Sequence, residues 1–177
     1  MIRTGFTFRN KHSSEFGIVC DPNSRTLLPE KRRKSITVPG RDGVYNFTKN
    51  KFDVRRERFT CYYLPVADVN TAQMARRIAA WLAEDGELCF DSEPDKFYLA
   101  YFDGDISMQQ HLRYGEFDLT FSYNPPFALS APVLLPVKSG ANLISYSGTK
   151  DAPARLTLTN AGASSITNIQ ITIRRKG

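Results

Sequence analysis

Residues 116–123 read Glu-Phe-Asp-Leu-Thr-Phe-Ser-Tyr, an unbroken alternation of polar and large apolar side chains. Successive side chains of a strand point to opposite faces. Phe117, Leu119, Phe121 and Tyr123 therefore form one apolar row, and Glu116, Asp118, Thr120 and Ser122 one wet row. A helix would scatter both rows around its axis. The segment demands a β-strand with one face on a core, and Pro125-Pro126 stops it because proline cannot donate to the ladder. Twelve Phe and eight Tyr in 177 residues likewise favour sheets over helix bundles.

The remaining elements follow from pattern and punctuation. Phe6 and Phe8 alternate with polar neighbours as a first strand, and residues 17–20 are a short buried run closed by Asp21-Pro22-Asn23. Residues 35–38 form another strand. Tyr45 and Phe47 share one parity, as on the core face of a strand. Phe52 and Val54 share one parity while Phe59, Cys61 and Tyr63 share the other, which predicts a bulge near Arg55-Arg56 or two separate strands. A helix is predicted over 71–85: Asn70 is its N-cap, with Gln73 at N3, and Met74, Ile78 and Leu82 are its apolar stripe. Trp81 borders the stripe as a core residue, Arg76 and Arg77 face water, and Gly86 is the terminating C′ residue. Strands return over 87–90 and 97–102. Residues 128–153 are rich in Pro, Ser, Gly and Ala and read as a linker. Leu156, Leu158, Ile169, Ile171 and Ile173 then alternate around Asn160-Ala161-Gly162 as one more hairpin over 154–177.

Charge and cysteine content narrow the function. The net charge of +6 sits in short clusters within or beside predicted elements, which is the pattern of solvated faces rather than of a nucleic-acid footprint. The three cysteines are odd in number, lack paired spacing and sit among apolar neighbours. They read as buried thiols of a chain that folds in a reducing cytoplasm. No apolar run is long enough to span a bilayer, and the first residues lack the pattern of a signal peptide.

No constellation carries chemistry. His12 and His111 lie far apart in polar connections, and no G-x-S-x-G elbow accompanies them. The acidic stretch 91–95 lacks the ligand spacing of a calcium loop. Asp103 and Asp105 lack the following lysine that a metal-dependent nuclease needs, and no phosphate-cradling glycine loop occurs. The expectation is a protein without enzymatic activity, cofactor or metal.

Three strings occur in one order along the chain. Glu30-Lys31-Arg32-Arg33 precedes Pro39-Gly40-Arg41-Asp42-Gly43-Val44-Tyr45. Phe90-Asp91-Ser92-Glu93-Pro94-Asp95-Lys96-Phe97-Tyr98-Leu99-Ala100 follows the predicted helix. Gly115-Glu116-Phe117-Asp118-Leu119-Thr120-Phe121 runs into Pro125-Pro126-Phe127. Their order and spacing resemble the N-terminal domain of distal tail proteins from long-tailed, siphovirus-type bacteriophages and prophages. Asn124 departs from it, standing where an acidic residue is common.

The resemblance implies a mainly β (α+β) fold, a tail-tube-like β-sandwich with one packed α-helix. Residues 1–127 would be the ring-forming domain and 128–153 the linker. Residues 154–177 would begin a partial second β domain of galectin-like type. It implies a homohexameric ring in the virion tail, assembled in the bacterial host cytoplasm. Its partners would be the tail tube protein and the tail-tip or baseplate proteins, with DNA passing through the channel without specific binding and no membrane insertion. Lys31, Arg32, Arg33, Lys34, Arg41, Asp42, Arg55 and Arg56, facing Asp91, Glu93 and Asp95 of a neighbouring copy, are the candidate subunit interface. Two other classes stand beside this reading. A carbohydrate-binding module for host attachment needs an exposed aromatic platform, for which only Tyr146 is available in the C-terminal part. A basic nucleic-acid-binding protein would lose affinity steeply with salt.

Overall fold

The computed structural model describes residues 5–20, 29–32, 34–47, 51–64, 70–104 and 115–174. The chain divides into two units, 1–133 and 134–177. In the first, the elements are β1 (Phe6–Phe8), β2 (Lys11–His12), a 3-10 helix (Ser13–Phe16), β3 (Ile18–Cys20), β4 (Ser35–Thr37), β5 (Val44–Asn46), β6 (Arg55–Tyr63), α1 (Thr71–Leu82), β7 (Gly86–Phe90), β8 (Lys96–Phe102), β9 (Glu116–Tyr123) and β10 (Leu129–Ser130). Eight strands make one antiparallel sheet in the order β2-β1-β7-β8-β9-β6-β3, with β10 paired to β8. Strands β4 and β5 form a separate two-stranded ribbon. The mainly β architecture with one packed helix is the one the alternation and the resemblance predicted.

The predicted inward row of β9 holds. Phe117, Leu119, Phe121 and Tyr123 are buried and lie opposite Cys61, Phe59, Glu57 and Arg55 of β6. On the other face Arg56, Arg58, Thr60 and Tyr62 oppose Ser122, Thr120, Asp118 and Glu116. One residue departs from expectation: Ser122, predicted to face water, is buried, and its Oγ donates to Asp103 Oδ2 at 2.7 Å. The change of parity along 52–63 also resolves. Strand β6 starts at Arg55, and Phe52 belongs to a separate bridge with Lys31.

Helix α1 has the predicted phase. Met74, Ala75, Ile78, Trp81 and Leu82 are buried, and Arg76 and Arg77 are exposed. Asn70 caps it, its Oδ1 accepting from Ala72 N at 2.8 Å. The Trp81 ring stacks on Phe16 at 4.2 Å and on Phe6 at 5.6 Å, and its Nε1–H donates to Phe8 O at 2.8 Å. That bond satisfies the polar tip of a side chain otherwise buried among aromatics. The helix ends earlier than predicted, at Leu82 with Ala83 as C-cap, and Gly86 opens β7 instead of ending the helix. Glycine is needed there because the Arg9 side chain crosses the space a Cβ would fill.

Sheet pairing continues past the expected boundary at Phe127, through Leu129 and Ser130 on Phe97 and Lys96. The described part of the second unit, 134–174, contains neither helix nor strand. The turn predicted at 160–162 is present, with Gly162 N donating to Asn160 Oδ1 at 2.9 Å. The two strands predicted around it do not form among the described residues. Leu156, Leu158, Ile169, Ile171 and Ile173 are all exposed, and two strands with nothing to bury their apolar face against gain too little to hold their pairing.

Phe121 lies at 0% exposure between the Phe8, Phe59 and Phe102 rings. Phe121→Ala should cost about 3–5 kcal/mol, because the cavity cannot close between packed rings. Thr120→Ala, on the wetter face, should cost under about 1 kcal/mol. Denaturant unfolding of the two variants checks this. Equal, small losses would show that the inward row is misassigned.

Candidate assembly surface

Strands β4 and β5 are the distal part of a longer two-stranded arm. Ser35, Ile36 and Thr37 lie opposite Asn46, Tyr45 and Val44, and Phe47 N donates to Lys34 O at 2.9 Å. Nearer the body, Lys31 bridges Phe52, Arg32 N donates to Lys51 O at 3.0 Å, and Asp53 N donates to Glu30 O at 2.9 Å. The tip is the Pro39-Gly40-Arg41-Asp42-Gly43 string. Gly40 and Gly43 take φ of 79° and 83°, a left-handed backbone that glycine adopts without a Cβ clash. Arg41 lies over the Tyr45 ring at 4.5 Å and donates to its hydroxyl.

The arm has no core of its own. Tyr45 and Phe47 were predicted to share a buried face; they are 46% and 64% exposed, and their rings meet each other at 6.4 Å. Ile36, Val38 and Val44 are exposed with them. The parity was legible, but β4 and β5 pair with no other strand among the described residues, and that face stays exposed.

The root of the arm, by contrast, is fixed. Phe52 packs edge-on against Phe127 at 5.2 Å, so the Pro-Pro-Phe string after β9 serves as the arm's footing. Asp53 accepts from Arg32 Nη2 at 3.1 Å and from Val54 N at 3.0 Å. The Arg32 bond, with the Val54 N–H behind it, holds the Asp53 carboxyl below its usual range.

Strand β6 then begins with a buried ion pair. Arg55 Nη2 reaches both carboxylate oxygens of Glu57 at 3.2 Å, and Tyr123 Oη donates to Glu57 Oε2 at 2.8 Å. The Arg55 guanidinium also lies 5.6 Å from the Tyr98 ring and 5.5 Å from the Tyr123 ring. Arg55 therefore faces the interior and leaves the exposed group to which the sequence assigned it. It shares a parity with Phe59 and Cys61, and Glu57 supplies the carboxylate that makes burial tolerable. Arg56 does face out and pairs with Asp103, its Nε donating to Oδ2 at 2.8 Å. Arg58 pairs with Asp118.

Asp91, Glu93 and Asp95 form the turn between β7 and β8. Asp91 accepts from Gly5 N at 2.8 Å and meets His12 Nε2 at 3.2 Å. Asp95 accepts from Lys96 Nζ at 3.1 Å, which lowers its pKa. His12 Nδ1 lies 2.6 Å from Ser14 Oγ, bringing hydroxyl, imidazole and carboxylate together. These are cap contacts: the His12 ring accepts from Ser14 N, and Glu15 accepts from His12 N, around the first turn of the 3-10 helix. Arg33, Asp105 and His111 lie outside the described residues. Among the described residues no cluster of His, Cys, Asp and Glu could hold a metal ion, and no helix is long and apolar enough to cross a membrane.

Strand directions bring the root of the arm, the acidic turn and the Pro125-Pro126-Phe127 tail of the third string to one end of the sheet. Arg55, where β6 starts, lies opposite Tyr123, where β9 ends, and Ala100 of β8 lies opposite Tyr123 on the other side. Strand β8 starts towards that same end, so the acidic turn 91–95 and the root of the arm leave the sheet together.

Residues 11–123 match the family described as phage tail protein RIFT-related domain. Among solved structures, the chain is similar to SPP1 Dit (gp 19.1), described as a paradigm of the hub adsorption apparatus in Gram-positive-infecting phages. The TM-score is 0.54 at 16% identity, covering 72% of this chain and 52% of that one, so the chain spans about half the length of that protein. No curated protein matches.

The Asp103 carboxyl is held below its ordinary value of 3.8 by the Ser122 hydroxyl first and by Arg56 second. A depressed folded value adds stability that is present above the unfolded pKa and lost as pH falls through the folded one. Asp103→Asn should therefore be less stable than the parent at neutral pH, with the gap narrowing below pH 3.8. Arg56→Met and Ser122→Ala should each remove part of the gap. Chemical denaturation across an acid pH series measures all three, and a pH-independent gap would refute the assignment.

Proposed function

The chain belongs to the family of phage tail proteins with a RIFT-related domain, a non-enzymatic structural component of the virion tail, and we propose that it is a distal tail protein. Six copies form a ring that joins the tail tube to the baseplate or receptor-binding tip and leaves a channel for DNA. The ring's neighbours are the tail tube protein on one side and tail-tip or baseplate proteins on the other. DNA passes without specific binding, and assembly takes place in the host cytoplasm.

The observation that carries this reading is the arm. A two-stranded ribbon alone is marginal in water, and this one exposes Ile36, Val38, Val44, Tyr45 and Phe47 around a basic stem. Such a surface is stable in a virion when another copy covers it. A contact between the arm of one subunit and a different surface of the next is head-to-tail, and it closes into a ring when the rotation per copy is fixed. The acidic residues Asp91, Glu93 and Asp95 offer the complementary charge to Lys31, Arg32, Arg33, Lys34 and Arg41. Asp42 at the tip and Arg56 near the root complete the proposed interface. Residues 1–127 carry these contacts, and the part of 128–153 that follows β10 acts as a tether.

Two sets of surface changes test it in a tail-complementation assay. Replacing Ile36, Tyr45 and Phe47 together by serine should stop tail assembly. Since the three are exposed, the melting temperature should stay within about 2 °C of the parent. Reversing Arg32, Arg33 and Lys34 to Glu should impair assembly, and adding Glu93→Lys and Asp95→Lys should restore part of it. Normal tails with the serine variant would remove the arm from the interface. Failure of the charge rescue would remove the acidic turn. Tails that lack a sixfold ring by electron microscopy would sink the distal-tail reading.

A further inference from the structure

Cys20 ends β3, and Cys61 lies opposite it on β6. Leu64 N donates to Gly17 O at 2.7 Å, one step beyond the Tyr63–Ile18 pair in the same register. Hydrogen-bonded and non-hydrogen-bonded pairs alternate along an antiparallel ladder, so Cys20 and Cys61 occupy a non-hydrogen-bonded pair. There the Cα atoms stand about 4.5 Å apart and the side chains are closest. Disulfides need Cα separations of roughly 4.4–6.8 Å. The two side chains share the buried face, and their sulfurs are 2.6 Å apart.

The surroundings differ for the two thiols. Strand β3 is the terminal strand of the sheet, whereas β6 is flanked by β3 and β9. Cys61 is fully buried, while Cys20 sits at 9% exposure on the terminal strand. The contact with Cys20 and burial push the Cys61 thiol far above its usual pKa. Reaction in the closed sheet is therefore slow and waits on opening of the β3 edge. The third cysteine, Cys89, is elsewhere, partly buried with its sulfur 3.7 Å from Pro94 O.

We propose that Cys20 and Cys61 are a redox-modification site, dithiol under reducing conditions and a cross-strand disulfide after exchange with a low-molecular-weight disulfide such as oxidised glutathione. The Cys20 thiolate attacks one sulfur of the small disulfide, forming a mixed disulfide and releasing one thiolate. The Cys61 thiolate then attacks Cys20 Sγ and releases the second. The net change converts two protein thiols and one small disulfide into one protein disulfide and two small thiols, and the electrons balance. The bond spans 41 positions of sequence, a loop that contains the whole arm. Closing it ties the terminal strand to the sheet and joins the two segments from which the arm departs. It is a covalent reinforcement that a reducing compartment withholds and an oxidising one supplies.

The test uses the full chain carrying Cys89→Ala, equilibrated without denaturant in glutathione mixtures from fully reduced to fully oxidised. The reaction is quenched in acid, and the protein is alkylated in denaturant and weighed. The expected product is lighter by two hydrogen atoms, takes no alkyl group and yields a peptide joining Cys20 to Cys61. Its melting temperature should rise by about 10 °C and fall back with dithiothreitol. The additional change Cys20→Ala should abolish both the mass change and the shift in melting. Two alkylated thiols at every glutathione ratio, or a glutathione adduct that never closes, would overturn the proposal.

Discussion

The pairing of β6 with β9 is the constraint on which the rest depends. It runs unbroken from Arg55–Tyr123 to Tyr62–Glu116 and divides the side chains of both strands between core and surface. A slip of one residue would put Phe117, Leu119, Phe121 and Tyr123 on the same face as Arg56 and Arg58, so that either the apolar row enters water or the arginines enter the core. No local propensity compensates for such an exchange, which amounts to several large apolar side chains at roughly 1.5–3 kcal/mol each. The register also fixes what lies beyond the strands. Where β6 begins, the arm leaves; where β9 ends, Pro125, Pro126 and Phe127 supply its footing.

The Arg55–Glu57–Tyr123 cluster sits at the end of the core, where a row of hydrophobic side chains could have continued. Replacing a buried ion pair by well-packed apolar residues is often neutral or stabilising, so the pair is poor evidence of a stability gain. Its geometry is better understood as a marker of position. The Arg55–Glu57 pair lies within β6, so the register of β6 on β9 is marked by the Tyr123 hydroxyl on Glu57 and by the tyrosine ring beside the guanidinium. An apolar pair would tolerate a neighbouring register. The requirement falls on the residues next to the arm, where a shift of the strand would re-aim everything beyond it.

Much of this was legible from residues alone. The inward row of β9, the phase of α1 and the outward Arg76 and Arg77 follow from periodicity, because each is decided by one element meeting one core. Misreadings occurred where a second partner decides. Ser122 is polar and should face water, but Asp103 and Arg56 cover it from elsewhere in the chain. Arg55 reads as part of a charged run until Glu57, two positions on, is seen to share its face. Tyr45 and Phe47 have the parity of a core strand, and no pattern within the arm reveals that the core is missing. Cys20 and Cys61 show no sequence spacing because a strand register brings them together. The alternation over 156–173 is a real strand signal that lacks strands to pair with among the described residues. The candidate interface was recognisable as charge, but its apolar half was taken for core.

The arm unites a rigid root with an uncovered tip, and the two properties belong together. In any head-to-tail assembly the angle between neighbours decides whether copies close into a ring or wind into a helix, and small errors accumulate around the circle. That angle is set where the projecting element joins the body. Here the junction carries an aromatic contact, an ion pair that ties Arg32 to Asp53, and a buried polar cluster that starts two residues further on. The tip has a different task. In the proposed assembly the arm meets a neighbouring copy through Ile36, Tyr45 and Phe47, which are exposed. Their exposure costs solubility in the isolated chain and becomes a source of binding free energy once covered. A stiff root with an exposed apolar face on its strands thus fits the proposal of an element whose core is supplied by another molecule. The acidic turn 91–95 and the Pro125-Pro126-Phe127 stretch, far apart along the chain, lie at the end of the sheet from which the arm departs.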